Sequence, residues 1–313
     1  MCPLSACRCI HRDHAGFGAN GQVGTELLRA LAVDGAVQAT TRSGQLPDGS
    51  ACETADFDAP ETLTALLDRI KPSRVVNAAA YTAVDRAEQD REGATRANAT
   101  APGVVAAWCA SNRVPLVHYS TDYVFDGQGK APYREDAQTS PLGVYGETKL
   151  AGEQAIRASG AQHLILRTAW VYASHGANFL RTMLRVGAER DELRVVADQI
   201  GTPTSAALIA DVTAQLLRQR TPDTSGTWHL TAAGQTSWHG FAEAIFEEAV
   251  SAGLLERAPR VVPITTADYP TPARRPAYSR LSIDTLQGDF GIELPEWRVG
   301  LQRVIAELSA TKK

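Results

Sequence analysis

No stretch of this chain approaches the roughly 18 consecutive apolar residues that a membrane-spanning helix needs, so no membrane partner is expected. The first residues lack the apolar core of a secretory signal. Positive charge is not in excess. Lys plus Arg number 31 against 35 Asp plus Glu, a formal net charge of −4, so there is no basic field to gather nucleic acid. Cysteine is scarce. Cys2, Cys7, Cys9, Cys52 and Cys109 are odd in number and irregular in spacing, which argues against a disulfide framework and for a reducing cytoplasm. Cys7, Cys9, His11 and His14 cluster near the start, but the pattern lacks the matching second half of a zinc site. Internal repeats and low-complexity segments are also missing.

What is present is an ordinary globular composition, 44% apolar and 21% charged over 313 residues, enough for one large domain or two modest ones. Short apolar runs alternate with amphipathic stretches. Helical periodicity predicts helices over 22–32, 59–70, 94–111 and 145–159. Strands are predicted over 36–40, 74–80, 115–120 and 163–168, apolar without alternation, as when both faces of a sheet are covered. Strands alternating with helices imply βαβ units and a parallel sheet. After about residue 172 the texture changes to helices at 179–190, 206–217 and 237–252, separated by Pro-, Thr- and Ala-rich loops. The segment YPTPARRP (269–276) cannot be regular structure. The expected class is α/β, a Rossmann-type doubly wound parallel sheet over 16–172. A smaller C-terminal substrate-binding lobe is expected over 173–313, with the chain crossing back to the sheet.

The residues GANGQVG (18–24) form a G-x-x-G-x-x-G turn. Gly18 would allow the tight turn, Gly21 the approach of the backbone to a pyrophosphate, and Gly24 the packing of helix on sheet. About a hundred residues later come HYSTDYVFDG (118–127) and YGETK (145–149). Tyr145 and Lys149 are four apart and share a helix face. An ammonium near the phenol, with a nicotinamide cation, would lower the tyrosine pKa and make Tyr145 a usable general acid. The Thr121 hydroxyl can bond the same carbonyl oxygen. Turn, strand-end Ser-Thr and Tyr-x-x-x-Lys in this order point to a nicotinamide-dependent oxidoreductase.

With these motifs the chain resembles the extended short-chain dehydrogenase/reductases that act on nucleotide sugars, and within them the dTDP-4-dehydrorhamnose reductase family. The resemblance runs from about Gly18 to Leu308. It rests also on VVNAAAYTAVDRAE (75–88), PLGVYGETKLAGE (141–153), RTAWVY (167–172), DQIGTPT (198–204) and YPTPARRP. It implies NAD(P)H-dependent reduction of a dTDP-4-keto sugar, the last step of dTDP-L-rhamnose formation. Tyr145 would be the proton donor, Lys149 its partner on the nicotinamide ribose, and Thr121 the hydroxyl that polarises the keto group. Gly21, Gln22 and Val23 would contact the pyrophosphate, and Asp56 and Phe57 would lie near the adenine. Ala80, Tyr81, Thr82 and Tyr119 would line the cofactor, while Asp122, Tyr123 and Trp170 would face the sugar. Asn178 and the Arg274-Arg275 pair are candidates for the nucleotide and its diphosphate. Another nucleotide-sugar reductase or epimerase, or a non-catalytic regulatory subunit on the same fold, are the rival readings.

The end of the second strand, Thr40-Thr41-Arg42-Ser43, has no acid to accept the ribose 2′-hydroxyl of NADH. Arg42 could hold a 2′-phosphate, so NADPH is the expected cofactor, with NADH also used. Some relatives form a homodimer around Mg²⁺ through three glutamates. Glu26 and Glu307 match two of these, but the third falls at Ala207, so that site is incomplete. The run CIHRDHAGF (9–17) before the glycine turn is an odd first strand. His11, Arg12, Asp13 and His14 would lie in or beside the sheet, where unpaired charges cost several kcal/mol. The expectation is that residues 1–15 are atypical, non-native sequence and that the first strand is poorly packed.

Overall fold

A computed structural model describes residues 14–221 and 224–311. Seven strands form the central sheet. They are β1 (His14–Phe17), β2 (Val37–Thr41), β3 (Glu53–Thr54), β4 (Arg74–Asn77), β5 (Leu116–Thr121), β6 (His163–Thr168) and β7 (Gly226–His229). Every pairing is parallel, in the order β7-β6-β5-β4-β1-β2-β3. From β1 the chain runs outward through β2 and β3, then returns to build β4 on the other side of β1. The β1/β4 boundary is therefore the switch point beyond whose carboxyl ends ligands bind in open α/β sheets.

The strands are as apolar as their position demands. All of β4 and β5 is buried, and helices cover both faces. Helices α1 (Gln22–Leu31), α2 (Leu63–Ile70), α3 (Ala101–Asn112) and α4 (Val144–Ala158) belong to the first half, and α5 (Phe179–Glu189), α6 (Ala206–Gln219), α7 (Trp238–Ser251) and α8 (Trp297–Thr311) to the second. On one face Leu27 and Leu31 of α1 and Ile209 and Leu216 of α6 pack on Val117, Leu164 and Leu166. On the other, Leu63 and Leu67 of α2, Val105 of α3 and Ile156 of α4 pack on Val75, Leu116 and Ile165. A separate cluster of Tyr172, Leu180, Phe241, Ile245, Trp297 and Leu301 holds α5, α7 and α8 together as the lobe. The second half also returns an edge strand, β7, and a covering helix, α6, to the sheet.

The first strand differs from expectation. Only four residues are needed, and His14 and Ala15 belong to the sheet, paired to Val37 and Gln38 of β2 and to Arg74 and Val75 of β4. Ala15 is 0% and Phe17 1% exposed, and the Phe17 ring meets Phe57 edge-on at 5.4 Å. This strand is well packed, with His14 as its one ionisable residue, also fully buried. His11, Arg12 and Asp13 lie outside the described residues, as do Cys2, Cys7 and Cys9. The predicted helix over 94–111 is also more structured than expected. It runs from Arg91 into α3 with one π turn at Arg96–Thr100, a feature that often marks functional sites. YPTPARRP is irregular, as its prolines require. No helix among the described residues is long and apolar enough to cross a membrane.

Candidate active site

The carboxyl ends of β1, β4 and β5 open onto a cleft of about 900 Å³. One wall is the glycine turn. Gly18 has φ of 74°, a left-handed conformation that an L side chain rarely adopts. A Cβ there would lie 2.7 Å from the Ala79 nitrogen, and one on Gly24 would lie 2.0 Å from the Gly18 carbonyl oxygen. Both glycines are thus required by close backbone approach, Gly24 beneath the turn and Gly18 at its edge. Gly21 caps α1 with no side-chain hydrogen bond, leaving the first amides of the helix for a ligand. Gly18, Gly21, Gln22 and Val23 line the cleft. An uncapped helix N-terminus behind a glycine turn fits the diphosphate of a dinucleotide.

The opposite wall carries the polar set. Thr121 ends β5, and Tyr145 and Lys149 occupy successive turns of α4. All three line the cleft with Asp122, Tyr123, Trp170, Ala80, Tyr81, Thr82, Phe57, Arg42 and Tyr119. The Thr121 hydroxyl donates to Asp122 Oδ1 at 2.9 Å and accepts the Tyr123 backbone N–H at 3.2 Å. Tyr145 lines the cleft beside Thr121 and meets the Tyr123 ring edge-on at 5.4 Å. The protein's own groups move its pKa in the direction opposite to the depression expected with a nicotinamide cation bound. Burial pushes the phenol up to about 12, against the pull of the nearby Thr121 hydroxyl and with the charge of Asp122 adding to the rise. Lys149 is engaged elsewhere. Its Nζ donates to the Tyr119 carbonyl at 2.6 Å and sits 3.3 Å from His118 Nε2. Burial brings the Lys149 amine down to about 8, against the attraction of Glu153. Burial likewise raises the Asp122 carboxyl to about 6, opposed by hydroxyl and backbone hydrogen bonds.

Other expected residues are placed differently. Tyr119 supplies its carbonyl to Lys149, while its phenol bonds Thr213 at 2.8 Å. Asp58 lines the cleft and Asp56 does not. Arg42 Nη2 lies 2.9 Å from Asp58 and its Nε 3.4 Å from Asp56, so two carboxylates already hold the cation expected to take a 2′-phosphate. Asn178, Arg274 and Arg275 lie outside the cleft lining. The Asn178 amide caps α5 through the Arg181 N–H and donates to Gln22 Oε1 at 2.8 Å, so it steadies a cofactor-side residue. Arg275 grips Asp85 through two nitrogens at 3.0 and 2.8 Å, fastening the YPTPARRP loop beside the cleft, and Arg274 is exposed. Glu26 pairs with Arg29 and His175, and Glu307 with Arg303. Both arginines also reach Asp211, one turn beyond the buried Ala207. These acids are therefore joined through cations, and no group of three His, Cys, Asp or Glu side chains able to hold a metal occurs among the described residues.

Three further residues shape the site. Trp238 stacks on Trp170 with ring centroids 3.6 Å apart and planes 8° from parallel, and Trp170 itself holds φ of 48°. Asn98, in the π turn, binds both the N–H and the carbonyl of Tyr81 at 2.8 and 3.1 Å. His118 links Lys149 to Asn77. Each was visible only as a polar or aromatic residue inside an apolar element.

The comparisons with known proteins agree with this geometry. The family model described as RmlD substrate binding domain matches residues 16–310. A dTDP-4-dehydrorhamnose reductase of Burkholderia thailandensis is 50% identical over 301 residues, 93% of this chain and 97% of that one. One of Escherichia coli strain K12 is 47% identical over 299 residues, 94% and 97% of the two chains. Among solved structures, the dTDP-4-dehydrorhamnose reductase of Bacillus anthracis in complex with NADP superposes with a TM-score of 0.86 at 32% identity. It covers 95% of this chain and 100% of that one. With the match running through sheet, cleft and lobe alike, this chain belongs to the dTDP-4-dehydrorhamnose reductase family.

Proposed function

We propose that this protein reduces the C4 keto group of dTDP-4-dehydro-L-rhamnose to give dTDP-L-rhamnose, using NADPH in preference to NADH. The observation that carries the reading is the convergence of Thr121, Tyr145 and Lys149 on one cleft with the glycine turn. When bound there, a nicotinamide cofactor would supply the hydride for the carbonyl carbon. Gly18, Gly21, Gln22 and Val23 would hold the diphosphate and Arg42 the 2′-phosphate. The protein's own part is proton placement. A phenol raised to about 12 keeps its proton at neutral pH, so Tyr145 enters turnover as an acid and donates to the nascent alkoxide. The Thr121 hydroxyl, beside Tyr145 in the cleft, can turn to the same oxygen. Asp122, Tyr123 and the Trp170–Trp238 stack would fix the sugar, and a 6-deoxy sugar suits the apolar aromatic face.

Turnover with the 4-keto sugar and each cofactor, followed at 340 nm, tests the reading. Tyr145→Phe should lower kcat by about 10²–10⁴, the usual worth of a general acid, with NADPH affinity nearly unchanged. Near-wild-type turnover by that variant would sink the mechanism.

A further inference from the structure

The buried end of Lys149 is held by hydrogen bonds whose direction follows from one backbone amide. The Ala79 N–H donates to Asn77 Oδ1 at 3.0 Å. An N–H can only donate, so the Asn77 oxygen is identified, and the nitrogen 3.0 Å from His118 Nδ1 is Nδ2. An amide nitrogen is a donor without acceptor capacity, so His118 Nδ1 accepts. A neutral imidazole that accepts at Nδ1 carries its proton on Nε2. His118 is fully buried, and burial, then the neighbouring Lys149, hold it well below the usual histidine range, so the ring is neutral. Its Nε2 proton therefore faces Lys149 Nζ, 3.3 Å away. An ammonium has no lone pair to receive it. A neutral amine accepts that proton and still donates to the Tyr119 carbonyl at 2.6 Å.

We propose that His118 is a positioning residue for Lys149: locked by Asn77 with its proton on Nε2, it donates to the lysine nitrogen and favours the neutral amine. Lys149 thereby loses its proton more readily than an ordinary lysine, and that loss sets the alkaline limb of turnover. The groups facing Lys149 are few. From β5 come His118 and the Tyr119 carbonyl, and from its own helix Tyr145 and Glu153. Glu153 favours the ammonium, but Arg167 of β6 binds its two oxygens, each at 2.8 Å, and Arg157 binds one of them at 2.7 Å. The chain begins at the cofactor wall, because the keying Ala79 nitrogen is the atom against which Gly18 packs. The role in turnover rests on the reductase reading; the direction of the hydrogen bonds does not.

Asn77→Asp tests it with little change of shape. One carboxylate oxygen still accepts from Ala79, while the other can only accept from His118, which moves the ring proton to Nδ1 and turns a lone pair toward Lys149. Ring-nitrogen NMR of the wild-type protein should show His118 protonated on Nε2, and Asn77→Asp should show it on Nδ1. The alkaline limb of kcat/KM for the keto sugar should move up by about one pH unit or more, a tenfold change in proton affinity. A wild-type ring protonated on Nδ1 overturns the proposal, and so does a reversed tautomer with an unmoved limb. If Asn77→Asp does not fold, the wild-type ring measurement decides alone. Absence of turnover on the keto sugar would count against the reductase reading, and the ring measurement would still judge His118.

Discussion

Replacing Asp122 by Asn should stabilise the protein in a way that depends on pH. The Asp122 side chain is 2% exposed. Oδ1 accepts the Thr121 hydroxyl, and Oδ2 has no hydrogen-bond partner within 3.5 Å among the described residues. Burial raises the carboxyl from 3.8 to about 6, a difference of about two units, or roughly 3 kcal/mol at 1.36 kcal/mol per unit. The sign follows from proton linkage. A carboxyl whose folded pKa lies above its unfolded one binds protons more tightly when folded. Its penalty is absent below about 3.8, grows as pH rises, and is complete above about 6. Asparagine keeps the acceptor for Thr121 and never ionises. Its Nδ2 replaces an oxygen that lacks a partner, a constant cost of about 1–3 kcal/mol that does not vary with pH. The diagnostic is therefore the change with pH. The stability gained on substitution should be about 2 kcal/mol larger at pH 7.5 than at pH 4.5, from the same two pKa values. Urea unfolding of both proteins at matched ionic strength measures it. An equal difference at the two pH values, or a larger one at pH 4.5, would refute the assignment of Asp122 as a carboxylate strained by burial.

Outcomes are expected for four other variants. Gly24→Ala places a Cβ 2.0 Å from the Gly18 carbonyl, so it should lower the unfolding free energy by about 1–3 kcal/mol and weaken NADPH binding in a fluorescence titration; unchanged binding would show that the turn does not hold the cofactor. Arg42→Ala should cut kcat/KM for NADPH and leave NADH alone. Asp58→Asn, which frees Arg42 from its 2.9 Å partner, should raise NADPH use by about fivefold, the ~1 kcal/mol of an exposed ion pair; equal effects on both cofactors would dismiss Arg42 as a 2′-phosphate ligand. Trp238→Ala removes the ring stacked on Trp170 and should raise KM for the keto sugar by about 2–10-fold, the worth of an aromatic pair, with kcat less affected.

Most of the sheet was legible because its strands obey a strong rule. A strand covered on both faces is rich in apolar residues, as at Val75, Val76, Leu116 and Val117, with Arg74 at the amino end of β4 and the other polar residues toward the carboxyl ends that face the cleft. The first strand shows the converse: the ionisable residues at 11–14 dominate the sequence signal, whereas the sheet requires only His14–Phe17. A four-residue strand between two parallel neighbours needs little apolar sequence. The strand β7 has no strong signal of its own, since GTWH gains its place by pairing with β6.

The site divides along the same line. Residues whose role follows from backbone shape or one-turn spacing were readable. Gly18 and Gly24 are forced by contacts with backbone atoms, and Tyr145 and Lys149 share a face whatever surrounds them. Partnerships between residues far apart in the chain were not. Asn178 and Arg275 are expected as ligand contacts from the motifs they sit in, and the fold gives each a further partner. Their partners, Gln22 and Asp85, lie 156 and 190 residues away, and only the fold reveals that these side chains are already engaged. His118 is the reverse case. It sits inside an apolar strand, where a histidine reads as a filler of the core, yet it is one of the few groups that touch Lys149. What decides its role is the tautomer, which is set by Asn77 on the neighbouring strand and by one amide of the cofactor loop. Proton position at this site is thus a property of the sheet's register, which aligns Asn77 with His118, and a change that slips β4 against β5 would alter the chemistry of Lys149 without touching α4.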